Sequence, residues 1–318
     1  MACKKKTQTN LLLTTLIINN TKKTYIMKAR HSIVLAGLFM LASTMNSCTN
    51  GSANMNHSFG IESRYNDFRD SKEWGKVTTN EISTAPFSGI DMNGCADVDF
   101  YQDDEVSVVI IGNEKAVALY DVDVQNDMLT IRMKNGSNKG WTPAVLVEVH
   151  APAIWKIHNK GTGDLDLKNT VKLEGDLLVD AVGTGDVDID GIRCHKICVN
   201  HTGTGDMEMK KVKCDVVEIA SMGTGDVDLE AKAKKVTATL SGTGDANLKV
   251  DHSQEVAVIA KGTGDVDLKV HCETLDIQAN GSCTVEAKGS CTTLTKQREG
   301  LATIRTKKLS VSNLNLMD

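Results

Sequence analysis

The chain contains 318 residues, of which 41% are hydrophobic and 24% are charged, a composition typical of a globular protein and not of a disordered one. Residues 1–48 carry seven of the 36 Lys and Arg residues and no Asp or Glu, so the remainder has 36 − 7 = 29 basic against 41 acidic residues, a net charge of −12. This balance argues against nucleic acid as a partner and against docking of the protein surface on anionic lipid.

The N-terminal segment has the features of an export signal. Met27 to His31 is short and basic, and Ile33 to Leu41 is an apolar stretch of nine residues, too short to cross a membrane as a helix. Cys48 follows small and polar residues in a way that resembles the lipobox of bacterial lipoproteins, which implies acylation of Cys48; an ordinary cleaved signal is the alternative. We predict a signal peptide with a lipobox at 1–48, within which residues 1–26 are an over-extension of the gene model.

Residues 49–76 begin with a polar stretch rich in Gly, Ser and Asn, which is typical of a flexible tether. In this interpretation the protein meets the membrane only through its lipid anchor. The sequence after Cys48 leaves open whether the domain lies at the cell surface or on the periplasmic face.

Residues 77–154 show irregular strand patterns, and they include many of the aromatic residues and all three prolines of the chain. We predict that they form the first, less regular part of a solenoid together with its N-terminal cap. The predicted strands are Gly89–Met92, Asp97–Tyr101, Val106–Ile111, Tyr120–Val124, Leu129–Met133 and Val145–His150.

The remaining residues, 155–318, are dominated by a repeat, and no Phe, Tyr, Trp or Pro occurs after Trp155. The tetrapeptide Gly-Thr-Gly-Asp occurs six times at spacings of 19 to 22 residues, beginning at Gly161, Gly183, Gly203, Gly223, Gly242 and Gly262. Apolar residues alternate with polar ones on both sides of each motif, which predicts strands with one inward and one outward face. The sequence therefore predicts an all-β fold, a single-stranded parallel β-helix (solenoid) of about 20 residues per turn. The preference of parallel crossovers favours right-handed winding.

Several segments together resemble the auto-transporter adhesin family of the head GIN domain. They are Pro86–Phe100, the strand Val106–Ile111, the strand Met128–Arg132 and the serial Gly-Thr-Gly-Asp-Val-Asp-Leu turns. The similarity extends from Thr79 to Asn313. It implies a β-helical domain exported to the bacterial envelope, often on a lipoprotein, and it carries over no catalytic residues.

Two columns of outward-facing acidic residues are the candidate cation site. The first acidic column consists of Asp164, Asp186, Asp206, Asp226, Asp245 and Asp265. The second acidic column consists of Asp166, Asp188, Glu208, Asp228 and Asp267, with the uncharged Asn247 between the last two. Carboxylates stacked at one-coil spacing repel one another, and Ca²⁺ would relieve that repulsion. The alternative is architectural, with the first column capping backbone N–H groups and the second merely solvated.

Four cysteines each lie nine residues before a motif glycine, so the period makes Cys194 a neighbour of Cys214, and Cys272 a neighbour of Cys291. Cα atoms at one-coil spacing fall within the range of a disulfide. The alternative is a stack of reduced, buried thiols. The sequence does not decide between the two.

These features favour a non-enzymatic envelope lipoprotein that presents its β-helix for adhesin-like binding to an unknown surface ligand or protein. One alternative is an envelope scaffold or stress-associated component without an external ligand. Another is a carbohydrate-active enzyme resembling a polysaccharide lyase, a class that usually stacks sugars on aromatic residues, which the repeat lacks. No cofactor other than Ca²⁺ is predicted.

Overall fold

The computed structural model describes residues 68–134 and 143–316, with side chains to residue 314. The predicted signal peptide, the acylation site Cys48 and residues 49–67 of the predicted tether lie outside the described residues. The final residues of that tether, 68–76, belong to the folded domain. Trp74 packs against the hydrophobic core, and the carboxylate of Asp70 accepts a hydrogen bond of 2.9 Å from the backbone N–H of Val77.

Short strands and one helical turn make up the N-terminal part of the domain. They are β1 (Val77–Glu81), β2 (Gly89–Gly94), β3 (Ala96–Gln102), β4 (Ser107–Asn113), α1 (Glu114–Val117), β5 (Tyr120–Gln125), β6 (Met128–Met133) and β7 (Val145–Ala151). The six strands predicted for this part are confirmed within two residues at each end. In the part of the chain that the structure describes, no helix is long and apolar enough to cross a membrane.

The repeated part consists of strands that lengthen toward the C-terminal end. They are β8 (Lys156–Gly161), β9 (Leu165–Leu167), β10 (Val171–Lys172), β11 (Asp176–Gly183), β12 (Val187–Ile189), β13 (Ile192–Gly203), β14 (Met207–Gly223), β15 (Val227–Gly242), β16 (Ala246–Gly262), β17 (Asp265–Gly281), β18 (Thr284–Gly300) and β19 (Thr303–Leu316).

Successive coils of the repeated part pair in parallel with the motif glycines in register. Gly183 is the partner of Gly203, which in turn faces Gly223, and Gly223 faces Gly242. Equivalent residues therefore lie directly above one another along the stack, and the predicted parallel β-solenoid of about 20 residues per coil is confirmed.

The two glycines of the motif are required by close approach of the backbone between coils. Gly203 has a φ of 152°, a conformation that residues with a Cβ rarely adopt, and a Cβ there would clash with the carbonyl oxygen of Gly183. A Cβ at Gly205 would clash in the same way with the carbonyl oxygen of Gly185. The corner can stack at strand spacing only if neither position carries a side chain.

Aliphatic side chains fill the interior of the repeated part. The inward residues Met207, Val227, Leu248 and Val266 are at most 4% exposed, and no aromatic side chain is needed because each coil closes a narrow interior. Full burial of one such side chain contributes roughly 1.5–3 kcal/mol. The aromatic residues Phe87, Phe100 and Tyr120 are buried in the N-terminal part.

Stacking order departs from sequence order at the N-terminal end. Strand β2 pairs in parallel with β6 on one side and β8 on the other, and β3 pairs in the same way with β7 and β9. The coil formed by β2 and β3 therefore lies between the coil β6–β7 and the coil β8–β9, although it precedes both in the sequence.

Antiparallel strands close this end of the stack. Strand β5 pairs antiparallel with β6, β4 pairs antiparallel with β7, and the five-residue β1 pairs antiparallel with β4. The helical turn α1 buries Ala116 and Val117 against the same core. This arrangement covers the end of the aliphatic interior and leaves only short strands at its edges.

Candidate binding surface

The first acidic column forms a hydrogen-bonded ladder along the solenoid. Each carboxylate accepts a hydrogen bond from the backbone N–H of the next coil, for example Asp186 from Asp206 at 2.8 Å and Asp206 from Asp226 at 2.8 Å. The ladder continues to the N-terminal side, where Asp97 accepts from the N–H of Asp164 at 3.0 Å. One oxygen of each of these carboxylates therefore caps a backbone N–H group of the following turn.

The second acidic column is longer than the sequence indicated. Asp166 pairs laterally with Asp99, which pairs with Glu148, and Asp267 pairs with Glu286 at the other end. Next to Glu148, the column is buried, because Asp99 and Asp166 are each only 3% exposed. A column solvated throughout was the architectural alternative, but the structure exposes only Asp228, Asn247 and Asp267, and the other members are buried or partly exposed.

An ion pair with a lysine and raised carboxyl pKa values both reduce the negative charge of the second acidic column. The ammonium of Lys168 lies 2.9 Å from the carboxylate of Asp166 and 3.7 Å from that of Asp99. Farther along, burial and the neighbouring carboxylates Asp166 and Glu208 raise the pKa of Asp188 from 3.8 to about 6. Burial also raises the pKa of Glu148. Burial, together with the like charges beside Asp188, therefore favours protonation in this part of the column.

No group of three or more His, Cys, Asp or Glu side chains within residues 68–134 and 143–316 is arranged to hold a metal ion. Binding of Ca²⁺ to the two acidic columns stays a prediction. The carboxylate oxygens not engaged with backbone N–H groups are the ones that a cation would contact.

The structure brings together the two cysteine pairs that the repeat predicts. Cys194 is the lateral partner of Cys214, with 2.7 Å between their Sγ atoms, and Cys272 is the lateral partner of Cys291. All four are free thiols here. The hydrogen bond to Cys214 and burial raise the pKa of Cys194, while the same hydrogen bond lowers that of Cys214. Burial raises the pKa of the Cys272 thiol to about 12.

A basic cleft of about 560 Å³ is the feature that the sequence analysis missed. Six Lys and Arg residues line it together with two carboxylates, Glu230 and Asp251. The six are Arg193, Lys211, Lys213, Lys232, Lys249 and Lys269. A signal was present in the sequence, since lysines recur at 249, 269, 288 and 308 and are partners in four successive coils.

Comparison with known proteins agrees with this architecture. The family model described as "Putative auto-transporter adhesin, head GIN domain" matches residues 86–256 and 246–317. The structure thus places the protein in the class of parallel β-solenoids, with a capped N-terminal end and charged outer columns. The chain belongs to the head GIN domain family. No curated protein matches it.

Solved structures share the fold at low sequence identity. A putative adhesin from Bacteroides fragilis NCTC 9343 is 24% identical over 74% of this chain and 97% of its own, with a TM-score of 0.53. A putative adhesin from Parabacteroides merdae ATCC 43184 is 19% identical over 77% of this chain and 97% of its own, with a TM-score of 0.55. A putative lipid binding protein from Parabacteroides distasonis ATCC 8503 is 16% identical over 76% and 97%, with a TM-score of 0.54.

Proposed function

We propose that this protein is a non-enzymatic lipoprotein of the cell envelope that displays its β-solenoid for adhesin-like binding. The observation that carries the proposal is the lateral register of the coils, which turns single outward residues into continuous charged columns. A surface of this kind can hold an extended partner through many equivalent contacts. Membership of a family described as adhesins supports the same function.

The membrane attachment in this proposal is the lipid on Cys48. Acylation at that position would leave the polar residues after it as a tether between the membrane and the domain. The outer membrane is the location that the proposal implies, with the domain on the external face.

Protease treatment of intact cells that express the full-length chain tests this function. A surface adhesin is degraded by an external protease, while a soluble periplasmic marker in the same cells stays intact. The domain must be shown to be cleaved by the same protease after the outer membrane is permeabilised. Protection in intact cells and cleavage only after permeabilisation would contradict surface display and favour the envelope scaffold.

A further inference from the structure

The basic cleft crosses five successive coils and is built from two rows of cations. Arg193, Lys213 and Lys232 are lateral partners on β13, β14 and β15. Lys249 and Lys269 are partners on β16 and β17. Partners in a parallel sheet are about 4.8 Å apart, so each row places like charges next to one another along the solenoid axis.

Few of these cations are neutralised by the protein. Asp251 contacts Lys232 at 3.5 Å, His252 at 2.8 Å and His271 at 3.3 Å, so its charge is already shared. Among the described residues, the other five basic residues of the cleft have no carboxylate within 4.0 Å, and all five are exposed. The cleft is therefore a concentrated positive region on a domain whose overall charge is negative.

The residues two positions before Lys249 and Lys269 explain why these lysines lack an acidic partner on their own strands. Elsewhere a lysine pairs with the acid two residues before it, as Lys210 does with Glu208 at 2.7 Å. Two residues before Lys249 stands Asn247, which has no charge. Two residues before Lys269 stands Asp267, which is bound at 3.1 Å by Lys288 of the next coil. Lys249 therefore has only Glu230, its lateral partner on β15, as a neighbouring acid, and the acid nearest to Lys269 along its strand is already engaged by Lys288.

A backbone irregularity shapes the same corner. Lys211 has a φ of 50°, which is uncommon for a residue with a Cβ, and it lies at the register shift between Met209 and Val212. The shift separates the row that contains Lys213 from the preceding strand segment. Lys211 lines the cleft at this position.

We propose that the basic cleft binds an acidic polysaccharide, with the carboxylate or sulfate groups of successive sugars against the two rows of cations. A linear polyanion fits a row of charges that repeats at a fixed spacing along the solenoid axis. Lysine ammonium groups, which are point charges on flexible stems, suit such groups without demanding one bidentate geometry. No Phe, Tyr or Trp lines the cleft, so recognition there rests on charge without stacking of rings, whereas a single-strand nucleic-acid site combines a basic groove with aromatic stacking platforms.

This proposal names a ligand class for the surface described under Proposed function and rests on that function. Its test uses purified protein, so a failure here is distinct from a failure of surface display, which the protease treatment measures on cells.

The probe is a polygalacturonate oligosaccharide of defined length, titrated calorimetrically into the purified chain in 50 mM and 300 mM NaCl. We expect saturable binding that weakens in the higher salt, and no binding of a neutral dextran of similar length. The double variant Lys249→Gln/Lys269→Gln should raise the Kd about tenfold or more. The matched control is Lys160→Gln/Lys261→Gln, which removes the same charge from two exposed lysines outside the cleft and should change the Kd less than about twofold.

Thermal unfolding establishes that both double variants are folded, and Arg193→Gln/Lys213→Gln provides a second, independent cleft variant. Equal weakening by cleft and control variants would overturn the proposal, as would the absence of saturable polygalacturonate binding in 50 mM NaCl. Tighter binding of a single-stranded oligothymidylate of matched charge would also overturn it and would make the cleft a nucleic-acid site.

Discussion

The carboxylate of Asp206 accepts a hydrogen bond from the backbone N–H of Asp226 in the next coil, 2.8 Å away. The same relationship recurs from Asp97 to Thr284, so the aspartate of the motif acts on its neighbour and not on its own turn. An acidic residue conspicuous in the sequence as a candidate ligand is thus also a structural cap. Experiments on the motif aspartate must therefore separate its capping role from any role as a cation ligand.

Replacing Asp206 by Ala should lower the free energy of unfolding by about 0.5–2 kcal/mol, because the N–H of Asp226 loses its acceptor. Asp206→Asn retains an acceptor oxygen and should cost less. Urea unfolding of the purified chain measures both. Asp228→Ala is the control, since it removes an exposed carboxylate from the second acidic column. Equal losses for Asp206→Ala and Asp228→Ala would show that the capping bond contributes nothing.

Calcium binding to the acidic columns predicts a stabilisation that sodium chloride does not reproduce. Ca²⁺ bound only by the folded state raises the melting temperature by mass action, whereas NaCl at matched ionic strength only screens the repulsion. Melting curves in the two salts separate these effects, and Asp206→Asn should weaken the calcium response. Identical stabilisation by both salts would leave the columns without a cation site.

The raised pKa of Asp188 predicts that the domain loses stability as the pH rises from about 4 to about 6. The folded state binds this proton more tightly than the unfolded state does. The resulting stabilisation is therefore fully present below pH 3.8 and is lost as the pH rises through the folded pKa of about 6. Asp188→Asn should flatten this part of the profile and stabilise the domain at pH 7 by on the order of 1 kcal/mol, since solvent screens a partly exposed carboxylate. Urea unfolding at several pH values measures this, and an unchanged profile in the variant would assign the pH dependence to other groups.

Thiol reactivity should differ sharply between cysteines of the same chain. With a pKa of about 12, Cys272 has little thiolate at pH 7.5 and should be alkylated at least about tenfold more slowly than the exposed Cys95. Mass spectrometry of peptides after timed alkylation gives both rates. Oxidised glutathione, which accepts two electrons and two protons, should join Cys194 to Cys214 within one chain. Comparable alkylation rates, or only mixed disulfides with glutathione at Cys194 and Cys214, would refute these assignments.

Acylation of Cys48 predicts that the full-length protein fractionates with membranes. Cys48→Ser should leave an unprocessed precursor or a soluble form, because the lipid can no longer be attached. Immunoblots of membrane and soluble fractions compare the two, with a Ser47→Ala variant as the control for changes near the cleavage site. Equal membrane partitioning of Cys48→Ser and the parent would rule out the lipoprotein assignment.

The regular half of the fold could be predicted because its information is local and repeated. Gly203 and Gly205 recur one coil later as Gly223 and Gly225, and this period alone sets the register of the columns. The placement of β2 between β6 and β8 could not be predicted in this way, since it depends on pairing between segments that share no motif. Hydrophobic alternation identifies those strands but not their neighbours.

The candidate site could be predicted from the sequence only in part, for a related reason. The columns of Asp and Cys follow the period and were predicted at the right positions, although the burial of Asp99 and Asp166 was not. The basic cleft combines two rows of cations on different coils, and Lys211, at an irregularity of β14, lines it as well. The recurrence of lysines at 249 and 269 follows the period, but it does not reveal that they share a cleft with Arg193, Lys213 and Lys232.

Stacking order follows sequence order in the repeated part but not at the N-terminal end. The two parts of the domain therefore differ in how freely evolution can add or remove a coil. Loss of residues 203–222 would bring Gly183 against Gly223, a partner equivalent to the Gly203 that it faces now. The repeated half can therefore lengthen or shorten by duplication or loss of whole coils, and the reach of its outer surface changes with each event. The coil β2–β3 has no such freedom, because the chain continues on both of its sides and its removal would leave β6 and β8 to find a new register.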